Sequence, residues 1–259
     1  MNRHNIFGLV LVIVVIVGSL IGLGFQTNVL STNPDESGPG KRSSQFDEQA
    51  PAPFNTSAYS IDDATSPWVV VNKLRPLPDG YQPADLRAPN VSLRLGASSS
   101  EMRLRDEAAT ALEAMFAAAK EDGINLMIAS AFRSQATQAS LYNRYVSEDG
   151  QAAADTYSAR PGHSEHQTGW ALDVEPATRE CEVEVCFGDL KEGQWVARRA
   201  HEFGFIIRYE QGNDALTGYT YEPWHIRYVG KGLAAELKAT NQTMEQFFGL
   251  PAPVSYGAL

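Results

Sequence analysis

Twenty consecutive uncharged residues, Ile6–Phe25, divide this 259-residue chain before any other feature does. At about 1.5 Å rise per residue, a helix of that length spans ~30 Å, the thickness of a bilayer's hydrocarbon core. A cleavable signal has a shorter apolar region, roughly 7–15 residues, closed by a small-x-small site. This run is longer, no Ala-x-Ala follows it, and no Cys stands near its end to accept a lipid. The expectation is an uncleaved signal anchor over residues 1–26. Arg3 precedes the run and no Lys or Arg follows until Lys41. The positive-inside bias therefore puts the N-terminus in the cytoplasm and the rest of the chain outside.

Residues 27–67 are rich in Ser, Thr, Asn, Asp, Pro and Gly, as in Asn33–Gly40. Such a stretch buries too little apolar surface to offset its ordering entropy, and reads as a flexible tether. Residues 68–249 are the size of one domain, and residues 250–259 read as a loose tail. The net charge of −10 and the lack of a basic patch argue against a nucleic-acid partner. The two cysteines, Cys181 and Cys186, are expected to pair as a disulfide outside the cytoplasm.

Helical spacing predicts a helix from a capping box at Ser98–Glu101 to Lys120, ended by Asp122-Gly123. A second runs from a Ser134 cap to about Val146, a third from Gln194 to Phe203, and a last from Gly232 to about Thr240. Strand or extended character is expected at Trp68–Asn72, Asn125–Ser130, Trp170–Val174, Phe205–Tyr209, Tyr219–Tyr221 and Trp224–Tyr228. Helices concentrate early and strands late, which predicts an α+β fold rather than a parallel α/β sheet.

Three of the five histidines, His163, His166 and His225, fall in two short segments. His166 and His225 with Asp173 make two imidazoles and a carboxylate, a set that holds zinc and leaves a position open. Glu222, three residues before His225, is a candidate base. Trp170–Val174 as a strand would put Asp173 on the face opposite Leu172 and Val174. Residues three apart on a regular strand point to opposite faces, so Glu222 and His225 converge only if the chain bends at Pro223.

The segment Pro161–Asp173 resembles the Ser-x-His-x-x-Gly-x-Ala-x-Asp signature of zinc D-alanyl-D-alanine carboxypeptidases, including the VanY type. These lie within the superfamily named for lysostaphin, D-Ala-D-Ala metallopeptidases and sonic hedgehog. Glu222-Pro223-Trp224-His225 is similar to that group's Glu-x-x-His element. Ser130-Ala131-Phe132-Arg133-Ser134, with Gln138 and Leu141, resembles its upstream element, Phe132 standing where Tyr is common. The resemblance covers about Trp68 to Lys238 and implies a small antiparallel sheet carrying one zinc ion, flanked by helices.

It further implies that His166, Asp173 and His225 are the metal ligands, Glu222 the catalytic base and Arg133 the oxyanion partner. Ser164, Gln138 and Trp224 become candidates for substrate contact. The implied substrate is a peptidoglycan stem peptide ending in D-Ala-D-Ala, cut outside a bacterial membrane by an enzyme held through its single-pass anchor. The same residues suit an L,D-carboxypeptidase, a D,D-dipeptidase or a stem-peptide endopeptidase. A catalytically silent wall-binding module is the alternative of another class, and it gives no reason for Glu222.

Overall fold

The computed structural model describes residues 54–257, which lie within one unit, Ala52–Leu259. The anchor expected at Ile6–Phe25 and most of the expected tether lie outside the described residues. Among the described residues, no helix is long and apolar enough to cross a membrane.

Four antiparallel strands form the central sheet: β3 (Leu126–Ser130), β4 (Ala171–Pro176), β5 (Phe205–Tyr209) and β6 (Glu222–Tyr228). Their order is β3-β4-β6-β5. A two-residue pair, β1 (Leu86–Arg87) with β2 (Leu104–Arg105), lies outside it. The helices are α1 (Asp106–Glu121), α2 (Gln135–Asp149), α3 (Gln151–Tyr157), α4 (Lys191–Arg199), α5 (Asp214–Thr217), α6 (Lys231–Thr240) and α7 (Met244–Phe247). The fold is α+β: small antiparallel sheets flanked by helices.

Period-two alternation decides which face of the sheet is dry. Leu172 and Val174 of β4 and Ile226 of β6 join Leu112, Met115 and Phe116 of α1 and Trp195 and Val196 of α4 in the main apolar cluster. Asp173, His225 and Arg227 take the alternate positions, and Asp173 lies opposite His225 across the β4–β6 ladder.

Several expected elements change form. The helix predicted from Ser98 is broken: Ser99 caps a 3₁₀ turn at Ser100–Met102, β2 follows, and α1 begins only at Asp106. Pairing of Leu104 with Arg87 diverts the chain there. Trp68–Val71 alternates like a strand, with Val69 and Val71 in the main cluster and Trp68 and Val70 in a second one. Its only described bridge is Asn72 with Arg75, so it is an extended segment rather than a sheet strand. Tyr219–Tyr221 is irregular. The α2 cap is as expected, Ser134 Oγ accepting from the Thr137 amide at 3.1 Å.

Packing also reaches into both expected loose segments. Phe54 stacks on Trp68 at 5.7 Å, and the Val70 amide donates to the Ile61 carbonyl at 3.0 Å, so the chain before Pro67 is seated on the domain from Phe54 onward. In the expected tail, Pro253 lies so close to Gly218 that a Cβ there would fall 2.2 Å from its carbonyl oxygen. Gly218 also has φ 83°, so both space and backbone require glycine.

Candidate metal centre and its cleft

Strand register brings the first two candidate ligands together. Opposed residues on one face of an antiparallel pair sit about 4.5–5.5 Å apart, and His225 Nδ1 lies 3.1 Å from Asp173 Oδ1. His166 comes from a 3₁₀ turn, Glu165–Thr168, that leads into β4 through Gly169 at φ 72°. Its Nε2 lies 3.4 Å from Asp173 Oδ2. One donor atom from each of His166, Asp173 and His225 lies within 4.8 Å of the others, and all three residues are buried.

Each of the three is oriented by a further hydrogen bond from outside the set. His166 Nδ1 donates to the Ala131 carbonyl at 2.6 Å, leaving the Nε2 lone pair toward Asp173. His225 is turned the other way: Nε2 donates to Glu165 Oε2 at 3.3 Å, and Nδ1 faces the cluster. Ser130 Oγ donates to Asp173 Oδ2 at 2.6 Å. Two fixed imidazole nitrogens and one fixed carboxylate oxygen are donors that zinc accepts in an open site, so the residues fit that ion.

Glu222 reaches the same place through a register shift. Ile207 faces Ile226, but Tyr209 faces Glu222, so two steps along β5 answer four along β6. The excess lies around Pro223, which has no ladder N–H to lose. The bend leaves Glu222 Oε2 4.0 Å from His225 Nδ1.

Electrostatics follow from this crowding of acids in a dry site. Burial pushes the Glu222 carboxyl up to about 8, against the pull of His225 and Arg133. Burial depresses His166, which stays a neutral ring. It also works against charge on His225, but the Asp173 and Glu165 carboxylates outweigh it and lift the ring to about 9. A divalent cation among these groups favours the carboxylates and competes with the His225 proton.

The centre opens into a cleft of about 640 Å³ that Ser164, Gln138, Trp224 and Arg133 also line. Arg133 Nη2 donates to Ser130 Oγ at 3.3 Å, and Nη1 to Gln138 Oε1 at 3.1 Å. Gln138 is buried, and its amide nitrogen donates to the Ala159 carbonyl at 2.6 Å. Gln138, expected as a substrate contact, therefore spends its amide on holding Arg133. Val183 and Val185 line the rim from the loop closed by Cys181–Cys186, which are bonded as expected with Cα atoms 5.7 Å apart.

The family model described as VanY: D-alanyl-D-alanine carboxypeptidase matches residues 101–231, which carry the whole centre. The chain belongs to the VanY carboxypeptidase family. As a VanY-family protein it is a peptidase. It is 40% identical over 189 residues to the YodJ protein of Bacillus subtilis (strain 168), covering 73% of this chain and 69% of YodJ. Among solved structures it is similar to the LdcB LD-carboxypeptidase, at 39% identity and TM-score 0.69, covering 72% of this chain and 87% of that one. It is also similar to a mutant of the vancomycin resistance D,D-pentapeptidase VanY in complex with Zn(II), at 28% identity and TM-score 0.57, covering 70% and 97%.

One functional residue of this VanY-family centre carries no signal in the sequence. Glu165 receives no role from the sequence, yet its side chain is fully buried. It accepts from His225 Nε2, from Arg208 Nε at 2.9 Å and from Arg227 Nη1 at 2.8 Å. Arg208 in turn donates to both oxygens of Glu245 on α7. Burial alone would raise the Glu165 pKa, but Arg227, Arg208 and His225 hold it well below the usual carboxylate range. His163, close to His166 in sequence, contacts the Asn72 carbonyl through Nδ1 at 2.8 Å.

Proposed function

We propose that the chain is a zinc-dependent carboxypeptidase that removes the terminal D-Ala of peptidoglycan stem peptides. Its first substrate in this reading is the L,D bond of a tetrapeptide stem. One observation carries the peptidase reading: three oriented ligand residues, a base and a guanidinium converge on one open cleft. Higher identity and TM-score toward the LdcB LD-carboxypeptidase than toward the D,D-pentapeptidase VanY support the L,D preference.

In this reading His166, Asp173 and His225 hold one zinc ion. When bound, zinc supplies Lewis-acid polarisation and lowers the pKa of water. Glu222 takes the proton of the attacking water at its carboxylate and returns it to the leaving amine. Arg133 stabilises the charge that develops on the scissile carbonyl oxygen. Ser164 and Trp224 bound the space where the peptide lies. The apolar run Ile6–Phe25 supports a tether that keeps this site on the outer side of a bacterial membrane, next to the wall.

A second reading, cleavage of D-Ala-D-Ala in pentapeptide stems, is favoured by the family's description and by likeness to the D,D-pentapeptidase. Mass spectrometry of products from tetra- and pentapeptide stems separates the two. Faster D-Ala release from the tetrapeptide, abolished by a chelator and restored by zinc, is the expected result. Faster release from the pentapeptide selects the D,D reading, and no release from either stem sinks both.

A further inference from the structure

A chain of hydrogen bonds runs from the C-terminal segment to Arg133. Tyr256 is seated by its ring: the Arg160 guanidinium lies 4.1 Å from its centroid, and His163 meets it edge-on at 5.0 Å. Its hydroxyl is 3.3 Å from that of Tyr219. The same hydroxyl accepts from the Arg160 backbone N–H at 2.8 Å. That N–H and the Ala159 carbonyl belong to one peptide plane. The carbonyl, on the opposite edge of a trans peptide, accepts from Gln138 Nε2 at 2.6 Å. Gln138 Oε1 then accepts from Arg133 Nη1 at 3.1 Å. Hydrogen bonds in such a chain polarise one another, and a planar peptide transmits orientation without a free torsion.

We propose that Tyr256 is a positioning residue for the peptidase reaction, acting through the Ala159–Arg160 peptide and Gln138 to hold the Arg133 guanidinium in its working orientation. The inference rests on the reading of Arg133 as the oxyanion partner. Arg133 has a second support at Ser130 Oγ, 3.3 Å from Nη2. Loss of the Tyr256 hydroxyl therefore loosens the guanidinium without releasing it. That cost falls on the chemical step rather than on substrate binding.

The test is a double-mutant cycle on the full-length, zinc-loaded protein with the preferred stem peptide. Tyr256→Phe keeps the ring and its stacking and removes only the hydroxyl. The expected result is a kcat lowered about three- to tenfold, the range of one hydrogen bond, with KM unchanged. In the Arg133→Ala background the same substitution has no further effect on kcat. A second readout is independent of activity: the Arg160 amide exchanges with solvent deuterium faster in Tyr256→Phe, and the Arg133 side-chain Nε–H broadens or shifts in NMR. Unchanged kcat in Tyr256→Phe overturns the proposal, as does an equal drop in both backgrounds. An Arg133→Ala variant with wild-type kcat removes the oxyanion reading itself and the proposal with it.

Discussion

The two faces of β4 differ in what holds them. On one, Leu172 and Val174 sit fully buried in an apolar cluster with Met115, Phe187 and Ile226. On the other, Asp173 and Glu175 are also buried, surrounded by His166, His225, Arg94 and Arg133. The apolar face is held by area and volume, and any side chain of matching shape serves it. Groups on the polar face depend on named partners, because a buried charge is tolerated only beside its counter-charge. Around Glu165 two carboxylates, Glu165 and Glu245, meet two guanidiniums, Arg208 and Arg227, all fully or almost fully buried. The lesson is that the apolar face contributes stability in bulk, whereas the polar face fixes atom positions.

Three substitutions sharpen or break that contrast. Glu222→Gln, on the polar side, lowers kcat by about a thousandfold while the circular dichroism spectrum and melting profile stay native. Appreciable residual activity removes Glu222 as the base. Glu165→Gln strikes the support beneath the site. It leaves the two guanidiniums short of a carboxylate, and costs about 3–5 kcal/mol of stability in urea denaturation. The same change weakens zinc binding by about 10–100-fold in a competitive chelator titration, because His225 loses its orienting acceptor. Wild-type stability together with wild-type zinc affinity would show that the buried cluster does not support the centre. Leu172→Ala, two residues from Trp170 on the apolar face, costs about 2–5 kcal/mol by the same denaturation assay and leaves kcat unchanged below the melting range. A selective loss of kcat there would show that the two faces are not independent.

Legibility in the sequence follows the same divide. The apolar face announces itself by spacing: α1, α2, β3, β5 and α6 are read from local periodicity and caps. The candidate ligand set is readable because its residues stand within recognisable motifs, and the bend at Pro223 is readable from the geometry that Glu222 and His225 would need. What escapes is whatever takes its meaning from a distant partner. The break before α1 depends on Arg87 meeting Leu104. Glu165 gains its role from Arg208, 43 residues on. Tyr256 gains its contact with the Arg160 amide across 96 residues, which no local composition of a Pro- and Gly-containing tail foretells.

The buried ion cluster also has a consequence for the order of events during synthesis. Arg208 leaves the ribosome 37 residues before Glu245, the carboxylate that takes both its terminal nitrogens. Asn72, which donates to the same Glu245 at 3.0 Å, has by then waited 173 residues. Domains are made from the N-terminal end at about 5–20 residues per second. Until Glu245 emerges, Glu165 shares an unbalanced pair of cations and His225 stands on an unfinished support. A chain truncated before α7 would carry His166, Asp173, Glu222 and His225 but lack Glu245, the carboxylate that balances Arg208 beside Glu165.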